Sequence, residues 1–347
     1  MPAGLLPELT PTSLPDFTFL SPTTVSEALL ALTTYGRRAK VIAGGSDLLH
    51  LMKRDALVPA PDILIDIKGI GELRYLENAP DGLKIGPLTT IATIETDPLV
   101  GSNYPLLAQA AGVISSPQVR NVATIGGALC QPVWCHFIRN GLKTWRAGGA
   151  FCYAAQEGAD SRYYHSVMGG DDCFAVHPSD MAVALEALDA SVNVSGPLGS
   201  KTVSVADFIP GNVWMGGVLQ SHILAQNELV TGVRIPAPTA GSQGLYLKSR
   251  LRNAFDFAIA SLAVNLTTSG GTITSSRIVF GGVAPAPFRD GAVEAWLGGQ
   301  DLGSIDLDGL ASQALSGAAP LQNNGYKVDV AKGLLKEAIG QLGQQSD

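Results

Sequence analysis

The chain has 347 residues, enough for two or three compact domains with an ample core. Its net charge of -7 and pI near 5.2 set up no field that would draw in nucleic acid or an anionic membrane. Charged residues make up 15% of it against roughly 25% for soluble domains, and mean hydropathy is +0.21. Two readings fit that balance equally: a surface partly covered by other protein, or a Gly- and Ala-rich globule with a modest surface.

Residues 1–20 are proline-rich and read as an extended arm. The first residues lack a basic n-region and a continuous apolar h-region. The longest run free of charged residues and histidine, 257–276, is too rich in Ser, Thr, Gly and Asn to cross a bilayer. These features predict a cytoplasmic chain with no membrane span. Four cysteines in such a chain favour reduced thiols or metal ligands over a disulfide framework.

Ser21-Pro22-Thr23-Thr24 caps a helix over 25–35, with Val25, Ala28, Leu29 and Leu32 on one face and Gly36 as its stop. A short strand over 40–43 runs into Gly44-Gly45-Ser46-Asp47. A second helix follows from 48 to about 53, with Ser46 or Asp47 as N-cap, and a strand over 61–67 completes an α-β-α-β unit spanning 1–70. The segments 74–77 and 83–86 flank Ala79-Pro80-Asp81-Gly82, which predicts a hairpin and an antiparallel second unit over 71–200. Within it, 89–95, 105–113 and 180–188 read as helices and 190–194 as a strand. Residues 196–217 read as a linker. In the C-terminal unit, 218–347, Thr268-Ser269-Gly270-Gly271 supplies the positive φ angles of a hairpin turn joining 258–267 to 272–283. Helical stretches follow over 291–342. The fold class is therefore α+β.

Two glycine loops carry the chemistry. In Ala43-Gly44-Gly45-Ser46-Asp47, at a strand-to-helix turn, two glycines let a phosphate approach the backbone and Ser46 adds a hydroxyl donor. The loop matches neither the Rossmann nor the P-loop spacing, and a double glycine after a strand is commonly just a tight turn. Thr124-Ile125-Gly126-Gly127 is a second loop of the same kind. One dinucleotide pyrophosphate fits between the two, with the backbone N–H groups of both offsetting its charge.

The combination of Ile42-Ala43-Gly44-Gly45-Ser46-Asp47-Leu48-Leu49 with Arg120-Asn121-Val122-Ala123-Thr124-Ile125-Gly126-Gly127 resembles the FAD-binding medium subunit of the molybdenum hydroxylases. Pro178-Ser179-Asp180, Tyr246-Leu247-Lys248, Phe255-Asp256-Phe257-Ala258 and Gly281-Gly282-Val283-Ala284-Pro285 extend the resemblance over nearly the whole chain. It implies an FAD-binding PCMH-type fold: a small αβαβ subdomain, an antiparallel-sheet α+β subdomain, and a C-terminal antiparallel sheet with helices. Ile42, Ala43, Gly44, Gly45, Ser46, Asp47 and Leu48 would grip the FAD pyrophosphate with Thr124, Ile125, Gly126 and Gly127. Ser179 and Asp180 would lie by the ribityl chain or isoalloxazine, and Lys248 at the flavin's pyrimidine edge, where a cation stabilises reduced flavin. A solvated Lys248 on a strand and an Asp180 that caps a helix are the plain structural alternatives. Ala128 stands where this family usually has asparagine.

All four cysteines fall between the second loop and Ser179, in an insertion over about 131–176 and at its threshold. The insertion resembles that of the 4-hydroxybenzoyl-CoA reductase medium subunit, which implies a 4Fe-4S cluster on Cys135, Cys152 and Cys173. The fourth ligand position falls at or near Thr144, a poor iron ligand, so Cys130, His136 or His165 would have to replace it. A cluster with an unusual fourth ligand, a three-iron form and a metal-free structural insertion remain three alternatives.

The functional expectation is an electron-transfer subunit. Its FAD would exchange electrons with a partner's 2Fe-2S centres and with NAD or another acceptor, while a molybdopterin-binding large subunit performs the substrate chemistry. The alternative, a stand-alone flavin oxidase or dehydrogenase, requires a substrate base in this chain, and no candidate catalytic residue stands out. The histidines are too scattered for a zinc site.

Overall fold

The structure, a computed structural model, describes residues 13–344. The first twelve positions of the expected arm, with the expected absence of a leader, lie outside the described residues.

The N-terminal unit is a parallel sheet in the order Thr18–Leu20, Ile63–Asp66, Ala39–Ile42. Its helix Val25–Tyr35 starts where the sequence places it, because Thr24 accepts the Glu27 amide at 3.2 Å while Glu27 reaches back to the Thr23 amide at 2.7 Å. It stops at Gly36, whose φ is +52°. Ala28 and Leu32 turn inward against Ile63, Ile65 and Ile67. The strand Thr18–Leu20 is a correction to the expected arm: three residues with Phe19 exposed show no periodicity, and the register with Ile63–Ile65 alone defines it.

The second unit is a five-stranded antiparallel sheet, ordered Leu76–Ala79, Gly82–Ile85, Leu229–Pro236, Ser191–Gly196, Gly199–Ser204. Leu83, Ile85, Val192, Val194, Val233 and Ile235 alternate inward along these strands and meet Ile91, Leu107, Ile125, Leu129 and Leu185 from the covering helices. Two expectations change here. The linker read over 196–217 contains the edge strand Gly199–Ser204 and a short helix, Val205–Phe208. That strand is almost wholly solvent-facing and polar, so it lacks the alternation that betrays a strand. The strand Leu229–Pro236 sits at the centre of this sheet, so the second unit runs past residue 200 and past the expected start of the third at 218.

The C-terminal unit is an antiparallel sheet of Ser242–Ser249, Ala260–Ser269, Thr272–Gly281 and Phe288–Arg289. Its hairpin turns on Gly270 and Gly271, at φ +56° and +81°, as the paired glycines predict. The helix Tyr326–Gln344 lays Ala331, Leu335, Ala338, Ile339 and Leu342 on the sheet at helical spacing. Among the described residues no helix is long and apolar enough to cross a membrane.

Candidate functional site

The glycines of the two loops have different physical reasons. A Cβ on Gly44 would fall 2.0 Å from the Val122 carbonyl oxygen, so glycine at 44 lets the first loop rest directly on the backbone entering the second. Gly45 makes the turn at φ +69°. A Cβ on Gly126 would meet Pro87 at 2.7 Å, whereas one on Gly127 would touch only Thr124 Oγ1, at 3.2 Å. The helix Ile125–Cys130 starts at Thr124, whose Oγ1 accepts the Gly127 amide.

Donor capacity separates the loops as well. Ile125 N–H donates to Thr89 O and Gly126 N–H to Pro87 O, each at 3.0 Å. The amides of Gly44, Gly45, Ser46 and Asp47 donate to no acceptor among the described residues. The first loop is therefore the one that presents free N–H groups, and the second braces it. Asp47 stands at the start of the helix Leu48–Lys53 but makes no side-chain cap; its carboxylate Oδ1 pairs instead with Arg139 Nη2 at 2.7 Å.

Both loops line a cleft of about 880 Å³, large enough for a sizeable organic ligand. Ile42, Ala43, Gly44, Gly45, Ser46, Asp47, Leu48, Thr124, Gly126, Gly127, Ser179, Asp180 and Lys248 all border it. Ile125 does not: its side chain is buried in the second unit's core. Ser179 accepts the Ala182 amide at 3.2 Å and so caps the helix Asp180–Ala187. Lys248 is not a solvated lysine. Its ammonium lies 2.7 Å from Asp180 Oδ2, both side chains are almost fully buried, and Tyr246 donates to Asp180 Oδ1 at 2.7 Å. Tyr246 and Lys248 share one face of the strand Ser242–Ser249 by its two-residue period. Burial, and then the Asp180 carboxylate, push the Tyr246 hydroxyl well above its ordinary pKa. The cation expected at the cleft is thus a neutralised, hydrogen-bonded pair.

The insertion forms another wall of the cleft, through Trp134, His136 and Arg139. Cys135, Cys152 and Cys173 are buried in one apolar cluster with Phe137, Ala154 and Ala175. The Cys173 thiol is held below its usual pKa by a hydrogen bond with Cys152 and by the Arg146 guanidinium, whose Nε donates to its Sγ at 3.2 Å. The same thiol–thiol contact, with burial, drives Cys152 up. Burial pushes Cys135 up to about 12, and its Sγ lies 3.8 Å from His165 Nε2. Burial also lowers His165 to about 3, which leaves its imidazole neutral at pH 7.

Cys130 does not join this group. It closes the helix Ile125–Cys130 and borders the cleft, where burial raises it to about 12 and Lys40 is its charged neighbour. Thr144 caps the turn Trp145–Ala147 by accepting the Arg146 amide, so its oxygen already has a structural partner. Among the described residues no group of three or more His, Cys, Asp or Glu side chains is arranged to hold a single metal ion.

Comparison with known proteins places this geometry. Residues 15–238 match the family described as FAD binding domain in molybdopterin dehydrogenase, and 245–342 match the CO dehydrogenase flavoprotein C-terminal domain. The chain belongs to the FAD-binding medium subunits of the molybdenum hydroxylases. It is 33% identical to the aldehyde oxidoreductase FAD-binding subunit PaoB of Escherichia coli, over 95% of this chain and 99% of that one. It is 29% identical to the carbon monoxide dehydrogenase medium chain of Hydrogenophaga pseudoflava, over 94% and 96%. A solved carbon monoxide dehydrogenase from Hydrogenophaga pseudoflava superimposes with a TM-score of 0.72 at 30% identity, covering 94% of this chain and 96% of that chain. The fold is accordingly the PCMH-type α+β arrangement with a C-terminal antiparallel sheet, and the chain is an oxidoreductase flavoprotein component.

In this medium subunit the sequence located the loops, Ser179, Asp180 and Lys248, and three convergent cysteines. It missed Arg139, Arg146 and Lys327. The Lys327 amino group is fully buried and donates to the His165 and Gly282 carbonyls, fastening the insertion to the C-terminal unit. No local pattern marks these residues, because their partners lie far away in sequence. Tyr246 had a signal in its two-residue spacing from Lys248.

Proposed function

We propose that the cleft holds FAD, with its phosphates at the Gly44–Asp47 amides and its ring system toward the Asp180–Lys248 pair, and that this subunit relays electrons. The observation that carries this reading is a set of unpartnered amides on one wall of a cleft bordered by nearly all the family's motif residues. Bound FAD supplies the ability to exchange single electrons with iron–sulfur centres and a pair with a hydride acceptor. The residues here do the rest: the loop amides offset phosphate charge, and Thr124 fixes the bracing loop. Tyr246 and Lys248 hydrogen-bond the two Asp180 oxygens in a dry setting, so the ring end faces an ion pair and not a lone charge. The partners are a molybdopterin-binding large subunit and a 2Fe-2S small subunit, the acceptor is NAD or a similar carrier, and the compartment is the cytoplasm. Reducing the purified complex with limiting dithionite and then adding NAD should restore the oxidised flavin spectrum. A chain isolated free of such partners that still oxidises a small molecule would sink the relay reading and support a stand-alone flavin enzyme.

A second reading is favoured by the convergence of Cys135, Cys152, Cys173 and neutral His165. Three soft thiolate donors and one imidazole suit an iron–sulfur cluster, which spaces its ligands more widely than a single ion does. On this reading His165 replaces the ligand expected near Thr144, and Arg146 offsets negative charge at Cys173. Iron and sulfide stoichiometry tests it: about four irons per chain support the cluster, and none leaves a metal-free structural insertion.

A further inference from the structure

Arg139 is carried by the four-residue helix His136–Arg139, inside the cysteine insertion, yet its side chain ends at the first glycine loop. Its side chain is 9% exposed, and it borders the same cleft as Gly44, Gly45, Ser46 and Asp47. Nη2 lies 2.7 Å from Asp47 Oδ1 in an ion pair and the guanidinium stands 5.9 Å over the Trp134 ring, while Nε, Nη2 and Asp47 Oδ2 make no hydrogen bond among the described residues. A buried guanidinium with an idle donor is costly unless something else accepts from it. Asp47 alone would repel an anion held by the neighbouring amides. Paired with Arg139 it does not, and the fork keeps donors to spare.

We propose that Arg139 is a phosphate-binding residue of the flavin cleft, so that cofactor retention depends on the cysteine insertion. The proposal rests on the reading that FAD occupies this cleft. It makes the insertion a component of the flavin site whatever the insertion's own metal content.

The test strips FAD from the full chain in its complex and titrates it back, following flavin fluorescence at several salt concentrations. The variants are Arg139→Ala, Arg139→Lys, Asp47→Asn and the double Arg139→Ala/Asp47→Asn, each checked by thermal melting. Loss of a charge-assisted hydrogen bond should weaken FAD binding about 10- to 100-fold in Arg139→Ala, with a shallower salt dependence. Arg139→Lys should recover part of the affinity, and the double variant should stay weak. Competition by ADP should weaken in Arg139→Ala, and competition by adenosine should not. Wild-type affinity in Arg139→Ala overturns the proposal. So does full rescue in the double variant, which would reduce Arg139 to a partner for Asp47. If Arg139→Ala melts out, Arg139→Lys decides the matter: its FAD affinity and its competition by ADP should both weaken while competition by adenosine does not, and wild-type values for both overturn the proposal. Failure of the wild-type chain to rebind FAD at all would instead strike the flavin assignment itself.

Discussion

The glycine loops and the cysteine insertion face one cleft but are specified in different ways. The loops work through backbone: Gly44 is required because Val122 O sits where its Cβ would be, and the free amides of 44–47 follow from the turn itself. The insertion works through side chains gathered from distant positions, with Cys135, Cys152, Cys173, His165 and Arg146 meeting in one buried cluster. Backbone constraints leave a mark at the residue that obeys them. Side-chain constellations leave one only where the residue type is itself distinctive, which is why the loops and the three cysteines were legible and Arg139, Arg146 and Lys327 were not.

The largest effect should come from the backbone side. Gly44→Ala places a methyl group 2.0 Å from a carbonyl oxygen, so the loops must part at a cost of about 3 kcal/mol or more. Gly127→Ala meets only Thr124 Oγ1 and should melt within a few degrees of wild type. Equal melting temperatures for the two variants would break the distinction between packed and open glycines.

Comparable in size is the effect at the buried pair where the cleft meets the C-terminal unit. Asp180→Asn or Lys248→Met strands one buried partner and should cost about 3–5 kcal/mol in denaturant unfolding. The double variant should recover much of that loss. Additive losses would show that the two groups act independently.

The far end of the same helix offers a pH test. Burial raises Glu186 from 4.5 to about 7, and its Oε2 has no hydrogen-bond partner among the described residues. A carboxyl whose folded pKa is raised binds protons more tightly in the native state, so its contribution is intact below pH 4.5 and is lost as pH rises toward about 7. Glu186→Gln should therefore be more stable than wild type by about 3 kcal/mol at pH 8, with the advantage vanishing near pH 4.5. A pH-independent difference would contradict the burial argument.

The smallest effect is expected at Cys130. Cys130→Ser should leave iron content unchanged, because this thiol faces Lys40 and not the other three, while Cys173→Ser should remove whatever iron the chain holds. Iron lost from both variants would return Cys130 to the ligand set.

Much of the fold was readable from local chemistry. Thr24 and Ser179 cap helices at their expected starts, and Gly270-Gly271 turns the C-terminal hairpin, whereas the helix that Thr124 caps was read only as a loop. The strand Gly199–Ser204 escaped because it lies at an edge and faces water. The central strand Leu229–Pro236 went unread because its partners, Gly82–Ile85 and Ser191–Gly196, are remote in sequence. At the site, Lys248 was found but its pairing with Asp180 was not, since Asp180 reaches it only through the packing of two units.

The central claim is that the cleft braced by two touching glycine loops holds FAD. Its most direct test is chromatographic identification and quantification of flavin released from the intact complex, for wild type and Gly44→Ala side by side. The account predicts FAD stoichiometric with the wild-type chain and largely lost from the variant. A wild-type complex that releases no FAD, or a Gly44→Ala complex that retains it in full, would contradict it.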